Sequence, residues 1–161
     1  MNISIRPAEM RDKTLIKNIF NLYQNELSIY SDDFGYLDEN GYFASETADE
    51  ILPFGDGVFP YIVLESGRPV GFVMATDASY APDGCDYCLE ELFLIRKMRG
   101  KGAAGQAVNL VMQDRSGRWA LEVYEQNAAA LSFWTRFLEK SAKDVRKDLS
   151  NPPFVRFLFT I

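Results

Sequence analysis

The chain has 161 residues, with 17 Lys+Arg against 23 Asp+Glu, two Cys and no His. That length suits one domain over 1–161, because a core of this size is self-sufficient whereas two would each be marginal. The missing His excludes Ser-His-Asp and Cys-His nucleophile pairs, an imidazole base and any His-bearing zinc site, and a net charge of −6 argues against a nucleic-acid partner.

Ile3 and Ile5 alternate with polar neighbours ahead of Pro7, which predicts a short strand over 2–6. The first residues hold no apolar core of signal-peptide length, and no apolar run approaches the ~18 residues of a membrane span. The expectation is a cytoplasmic protein with no membrane partner. From Lys13 to Leu27, Leu15, Ile16, Ile19, Phe20, Leu22 and Tyr23 recur at helical spacing. Residues 28–59 are less regular, with room for a short helix near 46–52. Two apolar runs, 60–65 and 70–76, are joined by Ser66-Gly67-Arg68-Pro69 and predict a hairpin.

After a polar loop over 77–86, Leu89 to Ile95 reads as a strand, 103–113 as a helix and Trp119 to Tyr124 as another strand. Asn127 can cap a helix over 128–139, and 142–161 reads as a final hairpin around Asn151-Pro152-Pro153. Cys85 and Cys88 form a single C-x-x-C just ahead of a strand. A zinc site would need two further ligands, and a redox dithiol belongs between a strand and a helix. The pair therefore reads as two reduced thiols, and no metal is expected.

The stretch 91–108, ELFLIRKMRGKGAAGQAV, is strand, basic glycine-rich loop, then helix. Amides at a helix N-terminus are unpaired and suit a phosphate, and glycines let the backbone approach it. Arg96, Lys97, Arg99 and Lys101 add positive charge. Gly100, Gly102 and Gly105 also satisfy G-x-G-x-x-G, with Glu122 near where a ribose-binding acid belongs. That dinucleotide reading loses: the motif begins too late for the remaining parallel strands, a hairpin precedes it, and its loop is long and basic.

Arg99-Gly100-Lys101-Gly102-Ala103-Ala104 resembles the Arg/Gln-x-x-Gly-x-Gly/Ala signature of the GCN5-related N-acetyltransferase (GNAT) superfamily. Glu91-Leu92-Phe93-Leu94 resembles that family's Glu-Leu-Tyr-Val strand, and Leu121-Glu122-Val123 with Asn127, Ala130 and Phe133 follows its next pattern. The Phe133-Trp134 pair after Gly117-Arg118-Trp119 is similar to a subgroup of predicted acetyltransferases. The resemblance implies an α+β fold, a mixed and mostly antiparallel central sheet flanked by helices. It implies acetyl-CoA as co-substrate, an amine acceptor, and direct attack of the amine on the thioester. It also admits a homodimer.

On this resemblance the backbone of Leu92, Phe93 and Leu94 would hold pantetheine and polarise the carbonyl. Arg99, Gly100, Lys101, Gly102, Ala103, Ala104 and Gly105 would hold the pyrophosphate, and Asn127 would bond the pantetheine arm. Glu91 and Glu122 are both candidate bases, each weighed against an ordinary exposed strand carboxylate, with a water chain as the other route. Many family members have a Tyr acid where Trp134 stands, and an indole gives up no proton. Tyr124 or water would then protonate the thiolate. Neither Cys has an adjacent base to activate it as a nucleophile.

Charge is unevenly distributed. Residues 18–95 carry fifteen acidic groups and one basic, whereas 96–161 carry twelve basic and six acidic. A negative acceptor side would concentrate a cationic amine, and a positive half suits polyanionic CoA. The competing expectations are that 28–59 is only a solvated acidic loop, and that the domain binds acyl-CoA as a sensor or interaction module without transferring the group.

Overall fold

The computed structural model describes residues 2–43 and 55–161. The short helix expected near 46–52 lies outside the described residues. Seven strands form one sheet: β1 (Ile3–Pro7), β2 (Val58–Glu65), β3 (Arg68–Asp77), β4 (Tyr87–Leu94), β5 (Arg118–Tyr124), β6 (Lys143–Asp148) and β7 (Phe154–Thr160). Their order across the sheet is β1-β2-β3-β4-β5-β7-β6. Every neighbouring pair is antiparallel except β4 with β5. A single parallel pair is incompatible with a doubly wound dinucleotide-binding sheet. The mixed, mostly antiparallel sheet expected from the sequence is present.

Among the described residues three α-helices flank it: α1 (Lys13–Leu27), α2 (Ala103–Met112) and α3 (Ala128–Ser141). The apolar stripe of α1 buries Ile16, Ile19 and Phe20 on one face of the sheet, against Ile62, Phe72, Met74 and Phe93. On the other face α2 and α3 bring Val108, Val111, Trp134 and Leu138 onto Val73, Leu89, Trp119, Leu121 and Phe157. Trp119 is fully buried, stacked on Tyr87 at 4.9 Å, and its indole N–H donates to the Arg115 carbonyl at 3.1 Å. Among the described residues, no helix is long and apolar enough to cross a membrane.

Strand β4 starts two residues earlier than Leu89, so Cys88 lies inside it rather than ahead of it. Opposite β4, Ala75 pairs with Leu89 and Met74 with Glu91, leaving Glu90 as the extra residue of a β-bulge. Side chains normally alternate between faces. The bulge breaks that alternation, and both Glu90 and Glu91 turn to the α1 face. Glu90 there accepts from the Thr76 hydroxyl at 2.7 Å.

Helix α1 is anchored at its start by Asp12. Arg6 on β1 donates to both Asp12 carboxylate oxygens, at 2.6 and 2.7 Å, and the Glu9 N–H donates to Oδ2 at 2.9 Å. The Arg6 hydrogen bonds hold the Asp12 carboxyl down at about 2, against the cost of its burial. A depressed carboxylate stabilises the fold above its ordinary pKa, and that contribution is lost as pH falls towards 2. Asp12→Asn is expected to cost about 2–3 kcal/mol at pH 7 in urea unfolding, with the difference vanishing near pH 2.

Candidate active site

The parallel pair β4/β5 is joined only at its start, where Tyr87, Cys88 and Leu89 face Trp119, Ala120 and Leu121. Beyond Leu89 the bulged β4 continues along β3 as far as Leu94, and β5 continues along β7 as far as Tyr124. Neither strand pairs with the other there. The result is a wedge between two strand ends, where residues 91–94 of β4 have no partner strand on the β5 side. A parallel pair that separates at its C-terminal ends is where open sheets of this kind admit a ligand.

At one side of the wedge the chain leaves β4, makes a single 3₁₀ turn over Arg96–Met98, and enters α2 through Gly100 and Gly102. Both glycines have positive φ, 71° and 79°, which any residue with a Cβ adopts only under strain. No side chain caps α2, so the N–H groups of its first turn, from Ala103 through Gly105, point outward with the positive end of the helix dipole. That arrangement fits a phosphate group. The side chain of Arg99 is engaged elsewhere: it donates to the Leu94 carbonyl from Nε at 3.1 Å and from Nη2 at 3.0 Å, and to Glu26 at 2.6 Å. Arg96 pairs with the same Glu26 at 3.3 Å. Both guanidinium groups of the loop are thus already engaged by protein oxygens.

On the α1 face of the wedge sits Glu91, half-buried. Burial pushes its carboxyl up to about 7; a hydrogen bond with the Tyr23 hydroxyl works against that rise and the neighbouring Glu90 charge adds to it. Tyr124, at the end of β5, projects to the same face. Its ring stacks on Tyr30 at 5.8 Å and lies 4.6 Å from Phe154. Burial raises its phenol above the ordinary range, and its hydroxyl shares a hydrogen bond with Ser31, which in turn donates to Asp33 at 2.9 Å. A phenol so raised stays protonated at neutral pH and can donate.

Glu122 is differently placed. It is exposed and held by Arg156 of β7, whose Nε and Nη2 donate at 2.8 and 2.7 Å. Asn127 spends its side-chain oxygen capping α3, accepting from the Ala130 N–H at 3.1 Å. Trp134 is buried among Phe133 and Phe137 on the opposite face, as a packing residue. Burial raises both thiols, and Glu90 raises Cys88 further, so neither is a ready thiolate. Leu92, Phe93 and Leu94 supply the open strand edge, Phe93 and Leu94 with buried side chains.

Two participants were not singled out in the sequence. Tyr23 reads as one more member of the apolar stripe of α1, and Glu26 stands outside that stripe with no role assigned to it. A signal for Tyr23 was available: a hydroxyl on a core-facing stripe needs a polar partner within reach.

A family model described as the Acetyltransferase (GNAT) family matches residues 18–138. No curated protein matches the chain. Among solved structures, an acetyltransferase from Thermus thermophilus is similar at 17% identity and a TM-score of 0.74, covering 100% of this chain and 98% of its own. The PaiA N-acetyltransferase of Thermoplasma acidophilum, solved in complex with coenzyme A, aligns at 16% identity and a TM-score of 0.68, with both chains covered completely, 100% each. Arabidopsis thaliana NAA60, solved with a bisubstrate analogue, aligns at 17% identity and a TM-score of 0.59 over 99% of this chain and 98% of that one. With a splayed parallel pair, an uncapped helix N-terminus beside it and a matching family model over three quarters of its length, the chain belongs to the acetyltransferase (GNAT) family.

Proposed function

We propose that this protein transfers an acetyl group from acetyl-CoA to a primary amine that carries positive charge, with Glu91 as the base. The observation that carries the reading is the wedge: an open strand edge lies between an uncapped helix start on one side and a perturbed carboxylate on the other. Backbone amides of residues 99–105 would hold the pyrophosphate, and the 92–94 edge would align the pantetheine and polarise the thioester carbonyl. Asn127 would contribute its remaining amide N–H groups to the pantetheine arm.

Glu91 would take the proton from the incoming ammonium, so that the free amine nitrogen forms the new C–N bond as the C–S bond breaks. The departing sulfur then needs a proton. Tyr124 is the candidate donor, since Trp134 packs in the core and its indole has none to give. A carboxyl near 7 is well matched to this work, being largely ionised just above neutrality without being a weak base. Glu122 is the poorer candidate because Arg156 already neutralises it.

Preference for a cationic acceptor is supported by the α1 face, where Glu90 and Glu91 share one side of the sheet and Asp32 and Asp33 follow α1. Free thiols at Cys85 and Cys88 suit a reducing, cytoplasmic setting. The test is CoA release across a panel of neutral and cationic amines at several salt concentrations. Faster turnover of cationic amines, falling with added salt, is expected. Equal, salt-insensitive rates would remove the cationic acceptor. Tight acetyl-CoA binding with no release across the panel would favour a binding module instead.

A further inference from the structure

We propose that Glu26 and Arg99 form a positioning pair for the acyl donor: Glu26 holds the Arg99 guanidinium on the Leu94 carbonyl, and so fixes the end of the open β4 edge against the entry to the glycine loop. This rests on the reading of that edge and loop as the acetyl-CoA site. The direction of the carbonyl follows from the backbone. The Ile95 N–H donates to the Val70 carbonyl, on the β3 side, at 2.9 Å. In a trans peptide a carbonyl and the next N–H point opposite ways, so the Leu94 oxygen faces away from β3, toward the unpaired side of the wedge.

Arg99 meets that carbonyl with both Nε, at 3.1 Å, and Nη2, at 3.0 Å. Its guanidinium lies 5.7 Å from the centre of the Phe93 ring, and Nη2 also reaches Glu26 at 2.6 Å. Nη2 carries two hydrogens, enough for both partners. Glu26 stands in the last turn of α1, where the helix dipole disfavours a carboxylate, yet its side chain is only 23% exposed. Arg96, 81% exposed, joins it from the rim at 3.3 Å. Neutralising the loop would need only nearby negative charge. The double hold on Leu94 needs a planar fork aimed in one direction, and a carboxylate on the same Nη2 supplies the aim.

Two roles of Glu26 have opposite signs. A carboxylate that merely neutralised the loop would weaken the binding of a polyanion, and its removal would tighten it. One that positions the edge strengthens binding, and its removal loosens it despite the gain in positive charge. The experiment measures acetyl-CoA affinity by calorimetry, and steady-state kinetics with a reactive amine, in Glu26→Gln, Arg99→Lys, the double variant and Lys101→Glu. Urea unfolding confirms that each is folded. Glu26→Gln is expected to weaken acetyl-CoA about fivefold to tenfold and to raise its KM by the same factor, with kcat and the amine KM within about twofold of native. Arg99→Lys keeps the charge but not the fork, and should lose about tenfold in affinity. The double variant should lose no more than Arg99→Lys alone, because Glu26 acts through Arg99. Tighter or unchanged binding in Glu26→Gln, native affinity in Arg99→Lys, or losses that multiply in the double variant each overturn the pair. Lys101→Glu tests the reading beneath it: a fall in affinity there alone keeps the donor loop and removes the pair, whereas no change in any of the four variants removes the loop as the acetyl-CoA site.

Discussion

Glu91→Gln is expected to lower kcat/KM by about 10²–10³-fold at pH 8 and to remove the rise of activity centred near pH 7. The amide is nearly isosteric, so the wedge keeps its shape while the proton acceptor is lost. Stability should move the opposite way. A carboxyl raised from 4.5 to about 7 binds its proton more tightly in the folded state, so ionising it progressively destabilises the fold as pH rises through that window. The Gln variant escapes this and should be more stable than the native protein above pH 7, by up to about 3 kcal/mol, and no different well below pH 4. Loss of activity with gain of stability marks a group kept for its chemistry. Glu122→Gln provides the contrast, with turnover expected within about threefold of native, because Arg156 holds that carboxylate away from proton transfer. Steady-state kinetics and urea unfolding across pH 4–9 check both. A preserved pH limb in Glu91→Gln would remove it from the role of base.

Gly71→Ala is expected to destabilise the protein by about 3–5 kcal/mol, enough to be read directly as a fall in the urea midpoint. The cause is a close approach of two backbones. A Cβ on Gly71 would overlap the Phe93 carbonyl oxygen and lie 2.6 Å from Leu94 Cδ2 and 2.9 Å from Leu94 Cα. No rotamer change relieves a clash with main chain, so β4 must shift away from β3. The residues pushed are those that form the open edge of the wedge, and activity should fall further than the lost fraction of folded protein explains. The comparison is Gly100→Ala. There a Cβ meets nothing within 4 Å, and the cost is confined to the positive φ of 71°, about 1 kcal/mol.

Much of this was legible because local signals agreed with one another. The stripe of α1, the hairpin of β2 and β3, the Asn127 cap and the basic glycine loop each follow from rules that act over a few residues, and each holds in the fold, although the hairpin turn is only Ser66-Gly67, with Arg68 and Pro69 already in β3. The bulge at Glu90 was not readable. It depends on how β4 meets β3, and nothing in Leu89-Glu90-Glu91-Leu92 says which glutamate is the extra one. For the same reason Glu91 and Glu122 looked equivalent as strand carboxylates. What separates them is tertiary: one lies beside the Tyr23 hydroxyl and the other on an arginine from a strand more than thirty residues away. Arg99 shows the same limit, its charge evident from sequence but the direction of its side chain decided by Glu26.

Glu26 also governs how an anion would be held. Of the four cations in the glycine loop, Arg96 and Arg99 both lie on Glu26, while Lys97 and Lys101 make no salt bridge among the described residues. The loop therefore presents less uncommitted charge than its composition suggests, and more oriented main-chain dipole. Capture of a diphosphate by such a surface depends on direction as well as on quantity of charge. The same carboxylate fastens the loop to α1, so the half of the wedge suited to a phosphate donor and the half suited to an amine are cross-braced through a single side chain, Glu26.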